Sequence, residues 1–324
     1  MSLIDSIRQP IAEDLKVFKK YFATALKTDN PLLADVNEYI VQASGKKLRP
    51  ILTLLASRVC GEMNESTYYA ALAVELLHNA SLIHDDVVDD THERRGRSSI
   101  NARWTNKVAV LSGDYMLSNA LICGTKTEKL SVLKSIARIG MELSDGELLQ
   151  LTNMQKTEIT EKDYFKVIRK KTALLFATCA EVGAKAAGVD EIKQQHLFNF
   201  GEYLGICFQI KDDIFDYFSD IEIGKPTGND LQDGKVTLPL IYALQNSEGE
   251  AKANVAAMIH DKDFTAANIE YIMQFARNAG GVSYAEQKME EFKVLAINEL
   301  AIFDDSEYKT ALIQCAEFSA SRQL

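Results

Sequence analysis

Apolar residues recur at intervals of three and four along most of the chain, the spacing that lines one face of a helix. The pattern predicts amphipathic helices over residues 3–27 and 31–43 and a helix to about residue 60, with Pro50 early in it. A long, mostly apolar helix follows over 66–90. Further helices are expected at roughly 105–123, 127–153, 160–187 and 190–219, and the pattern resumes at 238–246 and continues to the end. Strand-like alternation is scarce. The main interruption is "SDIEIGKPTGNDLQDGKVTLP", residues 219–239, which is polar and charged and holds three glycines and both late prolines. It reads as a mobile loop inside a domain. The expectation is an all-α protein, a single helical domain over residues 1–324.

Composition sharpens this picture. The 324 residues are 47% hydrophobic, enough for a large core, and 17 glycines with five prolines leave long stretches free of helix breakers. The net charge of −10 argues against a nucleic-acid partner, so an anionic ligand needs local cations or a metal ion. The five cysteines, Cys60, Cys123, Cys179, Cys207 and Cys315, have no zinc spacing and read as core residues of a reducing cytoplasm. The N-terminal "MSLIDSIRQPIAEDLK" has early acids and no apolar signal core, and no apolar run is long enough for a membrane span.

Two stretches carry candidate chemistry. "ELLHNASLIHDDVVDDTHERRGRSS", residues 75–99, sets Asp85, Asp86, Asp89 and Asp90 at the end of an apolar run. "LGICFQIKDDIFDYF", residues 204–218, repeats the arrangement with Asp212, Asp213 and Asp216. Residues four apart share a helix face, so Asp85 projects with Asp89 and Asp212 with Asp216. Gathered carboxylates repel unless a cation joins them. Magnesium suits such a site, because it takes one or two carboxylates and completes its shell with water and substrate phosphate. One cluster alone is equally a solvated helix end. Two copies, each closing an apolar helix, favour metal ligands.

Cations are dispersed around these clusters: Lys46 and Arg49 in "ASGKKLRP", Arg94 and Arg95 in "HERRG", Lys170 and Lys171 beside Thr172 in "RKKTALLF", then Lys225 and Lys235. Any one of them is an ordinary solvated charge. Together with two acidic clusters they suit a diphosphate substrate. His78 lies two turns before Asp85 on its face, and Gln209 three residues before Asp212; each is a core residue or a ligand contact. His84 and His92 read as structural or solvent-facing.

The motifs "GKKLRP", "LLHNASLIHDDVVDD", "RRG", "GDYMLSNAL", "KTALLF", "FQIKDDIFDY" and "GKPTGNDLQDGKVTLPL" stand in the order found in trans-polyprenyl diphosphate synthases. The chain resembles the bacterial long-chain branch, which includes the octaprenyl type. The motifs span residues 45–240, and the C-terminal part adds little. The resemblance implies an isoprenoid-synthase bundle with a central apolar cavity. It implies that Lys46, Arg49, His78 and Arg95 bind the diphosphate of isopentenyl diphosphate. Asp85 and Asp89, through Mg2+, and Arg94 would act on an allylic prenyl diphosphate such as farnesyl diphosphate. Asp212 and Asp216 would hold a further Mg2+, and Lys171, Thr172, Gln209 and Lys225 would contact the allylic substrate and steady its developing charge. Ser44 and Lys47 depart from the family, which often has glycine and arginine there; only loop geometry is put in doubt.

The implied chemistry is ionisation of the allylic diphosphate, attack by the double bond of isopentenyl diphosphate and loss of a proton, repeated on the lengthened product. The loop at 219–239 is the natural lid. Ala80 and Ser81, small residues about one turn below Asp85, leave room for a growing tail, so a product of C30 or longer, destined for a quinone side chain, is expected. The helix at 66–90 is about 35 Å long at ~1.5 Å per residue, enough to wall a deep tunnel. Close helix packing is the other reading of Ala80 and Ser81. A cytoplasmic homodimer is expected, touching membranes peripherally to release product. Three rivals stand beside elongation. A terpene cyclase would lack the "GKKLRP" site. A di-iron bundle needs two ExxH pairs, and Glu75 with His78 supplies one. A non-catalytic partner subunit could lose its acidic clusters, yet both are intact. Shorter, C15–C20 products remain the alternative within elongation.

Overall fold

The computed structural model describes residues 2–42, 47–94, 96–154, 156, 159–218 and 228–321. Lys46, Arg95 and Lys225, three expected substrate contacts, and positions 219–227 of the expected lid lie outside the described residues.

Helices dominate, and their ends follow local chemistry. The expected helix over 3–27 is broken: Leu3–Arg8, capped by Ser2 and Asp5, passes through a 3-10 turn Gln9–Ile11 into Ala12–Ala25. Pro10 supplies the reason, since it has no N–H to give and its ring crowds the preceding turn. Leu48–Cys60 carries Pro50 within its first turn, where a missing donor costs little. The long helix Glu65–Val88 starts at Asn64, whose side chain accepts from the Thr67 N–H. It ends where Asp90 takes a left-handed backbone, φ 49°.

The region 160–187 is not one α-helix. Glu161–Ile168 and Leu174–Ala187 are separated by a π-turn, Arg169–Ala173. Glu191–Phe215 follows, ending short of the expected residue 219. Part of the expected loop is ordered as the helix Asn229–Gln232, which begins at Gly228 with φ 73°, a backbone that favours glycine. Among the described residues the only sheet is a hairpin, Glu93–Arg94 against Arg97–Ser98, with Arg94 opposite Arg97. Two-residue strands are too short to print an alternating pattern in the sequence.

The chain divides into two compact units. The first comprises Met1–Met141, Leu175–Gly201 and Glu299–Gln314. In it Leu48–Cys60 and Asn106–Lys126 pack on Glu65–Val88, which is buried from Ala70 through His78. Close approach is set by small residues: a Cβ on Gly183 would lie 2.4 Å from the Thr53 carbonyl oxygen, and one on Gly113 would strike the His84 ring. His84 is thus a packing residue, its Nε2 3.3 Å from the Val110 carbonyl. The second unit comprises Glu142–Leu174, Glu202–Asn298 and Cys315–Leu324. Its core joins Ile206, Ile210 and Ile214 to Tyr164, Ile168, Leu238 and Ile241. A second cluster gathers Tyr217, Leu231, Leu240 and Ile272. Among the described residues no helix is long and apolar enough to cross a membrane.

Candidate active site

The first unit contains a cavity of about 130 Å³ whose wall includes Lys47, Arg49, Glu75, His78, Asp86, Arg94 and Arg97. Arg49 comes from the start of Leu48–Cys60, His78 and Asp86 from Glu65–Val88, and Arg94 and Arg97 from the hairpin. Three expected substrate contacts, Arg49, His78 and Arg94, therefore meet at one cavity. Glu75, Asp86 and Arg97 join them. The sequence reading used Glu75 only as half of an iron pair; the cue to Arg97 was its place directly after "RRG".

Asp86 organises this wall. Its side chain is buried and accepts from Arg94 Nε at 2.6 Å. Burial pushes the carboxyl above its ordinary range, and the Arg94 charge pulls against that. Asn101 Nδ2 donates to the carbonyls of Asp86 and Thr91, and the Ser99 hydroxyl donates to Thr91, closing the loop onto the helix end. From the other side the Tyr39 hydroxyl donates to the Ser98 carbonyl at 2.8 Å. The guanidinium groups of Arg97 and Arg103 lie 4.1 and 4.4 Å from the Tyr39 ring centre. The hairpin carrying Arg94 is held by one ion pair and an aromatic clamp.

Asp85 is half-buried and Asp89 exposed at the same helix end, where the Asp89 N–H still donates to the Asp85 carbonyl at 2.8 Å. Ala80 is 2% exposed. The Ser81 hydroxyl donates to the His78 carbonyl at 2.9 Å, so its polar atom is satisfied on its own helix. Among the described residues no three His, Cys, Asp or Glu side chains are grouped to hold an ion by themselves. Paired carboxylates of this kind nevertheless fit a hard divalent ion whose remaining ligands are water and phosphate oxygens.

The second unit brings together Lys171, Thr172, Gln209 and the second acidic cluster. Thr172 Oγ1 donates to Gln209 Oε1 at 2.9 Å, and Gln209 Nε2 donates to Asp213 Oδ1 at 2.8 Å. Asp213 Oδ2 accepts from the Tyr164 hydroxyl at 2.7 Å. Burial, and then the charge of Asp230, push the Asp213 carboxyl well above its ordinary range, while the two hydrogen bonds oppose them. Asp212 is exposed. Asp216, half-buried, accepts the N–H groups of Asn229 and Asp230 at 3.1 and 3.0 Å, capping the short helix. Burial raises its carboxyl, and these donors work against the rise.

Lys170, Lys171 and Lys235 are already in ion pairs. Lys171 Nζ lies 2.6 Å from Glu147 and 3.3 Å from Gln150 Oε1. Lys170 pairs with Glu142 and Asp145, and Lys235 with Asp233 at 2.8 Å and Asp230 at 3.7 Å. Tyr164, Glu147 and Asp213 carried no role in the sequence reading. Asp213 was visible as the middle member of its cluster, but Tyr164 and Glu147 were ordinary helix residues.

A sequence profile of the polyprenyl synthetase family matches residues 30–276. The chain is 35% identical to the all-trans-nonaprenyl-diphosphate synthase (geranyl-diphosphate specific) of Rhodobacter capsulatus, over 98% of this chain and 97% of that one. Among solved structures it resembles a Caulobacter crescentus polyprenyl synthase complexed with calcium and isoprenyl diphosphate. That match has a TM-score of 0.92 and 31% identity over 99% and 98% of the two chains. A Bacteroides thetaiotaomicron geranylgeranyl pyrophosphate synthase gives 0.86 and 39%, over 99% and 100%. The chain belongs to the polyprenyl synthetase family. It is a prenyltransferase of the all-α isoprenoid-synthase fold, as the motifs led one to expect.

Proposed function

We propose that this enzyme extends an allylic diphosphate, such as farnesyl diphosphate, by repeated condensation with isopentenyl diphosphate to an all-trans polyprenyl diphosphate of C30 or longer. The product would serve as a quinone side chain. The supporting observation is the cavity of the first unit, where Arg49, His78 and Arg94 converge with Asp86, the chain neighbour of Asp85. A guanidinium fork and an imidazole beside an acidic helix end suit a diphosphate better than any neutral ligand.

In this reading Arg49 and His78, with Lys46 and Arg95, hold isopentenyl diphosphate. Arg94 turns to the allylic diphosphate, and Asp85 and Asp89 bind it through magnesium; Asp212 and Asp216 are the corresponding carboxylates of the second unit. Magnesium bound there would neutralise the diphosphate and make it a leaving group. Lys171, Lys225 and Lys235 add positive charge to the departing diphosphate. Thr172 and Gln209 present polar atoms to the developing allylic cation, and water must be kept out while it exists. Ala80 and Ser81 admit the growing tail. A homodimer in the cytoplasm completes the reading. Leu111 and Ile122, 69% and 53% exposed and eleven residues apart, leave apolar surface on one face of Asn106–Lys126 for a second copy to cover.

A second reading, a C20 product, is favoured by the 39% identity to the Bacteroides geranylgeranyl pyrophosphate synthase. One experiment separates the two: incubation with magnesium, farnesyl diphosphate and labelled isopentenyl diphosphate, then chromatography of the dephosphorylated products. Chains of C30 or longer are expected. A stop at C20 would establish the second reading, and no incorporation would defeat both. Ala80→Tyr should shorten the native product to about C15–C20. An active variant with unchanged products would end the tunnel assignment.

A further inference from the structure

We propose that Tyr164 is a positioning residue for Thr172, acting through Asp213 and Gln209. The inference rests on the reading that Thr172 contacts the allylic substrate. Tyr164 is 5% exposed and packs among Ile168, Ile210 and Ile214, so it meets no ligand itself. Its hydroxyl instead fills one oxygen of Asp213, at 2.7 Å, while Gln209 fills the other.

The relay runs from the Thr172 hydroxyl to Gln209 and from Gln209 to Asp213. The Gln209 amide turns its NH2 toward Asp213 and its carbonyl oxygen toward Thr172. The Thr172 hydroxyl must then donate its proton to Gln209 Oε1, across 2.9 Å. What Thr172 has left to offer is oxygen lone pairs, the polarity that stabilises an adjacent allylic cation. Without the Tyr164 hydroxyl, one oxygen of the buried Asp213 carboxyl loses its partner, and Asp213 can turn away from Gln209. The amide is then no longer oriented, and the Thr172 hydroxyl can swing its proton toward the cation.

The backbone around Thr172 leaves this rotor as the main remaining freedom. Thr172 sits in the π-turn Arg169–Ala173. Two helices press on that turn through glycines. A Cβ on Gly146 would lie 2.9 Å from Lys170 Cβ and 3.0 Å from the Lys171 nitrogen, and one on Gly205 would lie 2.5 Å from Ala173 Cα. A turn clamped at both sides holds the Thr172 Cα in place, and the hydrogen-bond relay selects where its hydroxyl points.

The test is a kinetic double-mutant cycle of Tyr164→Phe and Thr172→Val, with melting temperatures measured alongside. Tyr164→Phe should lower kcat about tenfold, as expected for losing one buried hydrogen bond, and leave KM for isopentenyl diphosphate within about twofold. In the Thr172→Val background the same change should alter kcat less than about twofold, because the relay then has nothing to orient. Full multiplication of the two losses would overturn the inference, as would unchanged kcat in Tyr164→Phe. A Thr172→Val enzyme with unchanged kcat would overturn the substrate-contact reading, and the inference with it. Should Tyr164→Phe not fold, Asp213→Asn replaces it in the cycle under the same criteria.

Discussion

The stretches "DDVVD" and "DDIFD" each close a long helix, and in each the middle carboxylate, Asp86 or Asp213, is 3% exposed. Their surroundings differ. Asp86 meets the guanidinium of Arg94, carried on a two-residue hairpin strand. Asp213 meets the neutral donors of Tyr164 and Gln209, from the core of its own unit. The outer carboxylates diverge as well: Asp89 is exposed at its helix end, whereas Asp216 caps the helix Asn229–Gln232. The same spacing thus serves two anchoring schemes. In the first unit the anchor is itself a proposed substrate ligand, so a diphosphate bound by Arg94 would compete with an ion pair. In the second the anchor is insulated in apolar packing and can hold a side chain in place while substrates come and go.

The largest expected effect tests whether the clusters are equivalent in chemistry despite this difference. Asp85→Ala and Asp212→Ala should each lower turnover by about a thousandfold or more, with helical circular dichroism unchanged, because on the proposed reading each removes one hard-ion ligand. Near-normal turnover in either folded variant would break the equivalence.

Next in size is an effect confined to the first unit. Arg49→Ala should raise KM for isopentenyl diphosphate about ten- to hundredfold, the cost of one charge-assisted phosphate contact, while KM for the allylic substrate changes little. Titrating each substrate separately checks the split, and a rise only for the allylic substrate would reverse the assignment.

A smaller effect probes the anchors themselves. Arg94→Ala strands the buried Asp86 carboxylate. Breaking a fully buried pair costs roughly 3–5 kcal/mol. The Arg94 side chain is 34% exposed, so solvent screening reduces the expectation to about 1–2 kcal/mol. Thermal unfolding should begin a few degrees lower, and adding Asp86→Asn should recover much of the loss. If Arg94→Ala unfolds like the native chain, the ion pair does not anchor the hairpin.

The smallest effect lies beside Tyr164. The Asp163 carboxyl is lowered from 3.8 to about 2, first by Lys156 and then by the Thr160 hydroxyl and N–H. A depressed folded value means the stabilisation is complete above about pH 4 and is lost as pH falls from there toward about 2. The group is close to the surface, so its worth is below about 1 kcal/mol. Asp163→Asn should flatten the acid limb of the melting-temperature profile in that window, and an unchanged slope would remove the linkage.

Much of this protein was written in one dimension. The helical period named the fold class, because a repeat of three and four residues has few other outcomes in a chain this poor in breakers. The expectation that Asp85 projects with Asp89 and Asp212 with Asp216 needed only helix geometry, although Asp89 and Asp216 lie just past the ends of their helices. Arg49, His78 and Arg94 were named from their motifs, although 45 positions separate the first from the last. What the sequence left open depended on neighbours distant along the chain. The hairpin at 93–98 is too short for any pattern and exists because Asp86, Tyr39 and Asn101 hold it. The π-turn carries good helix formers and is visible only where Gly146 and Gly205 bring other helices against it. The partners of Asp86 and Asp213 were equally hidden: two carboxylates with identical spacing received different anchors, since a buried charge takes its partner from whatever the tertiary packing brings within hydrogen-bond reach.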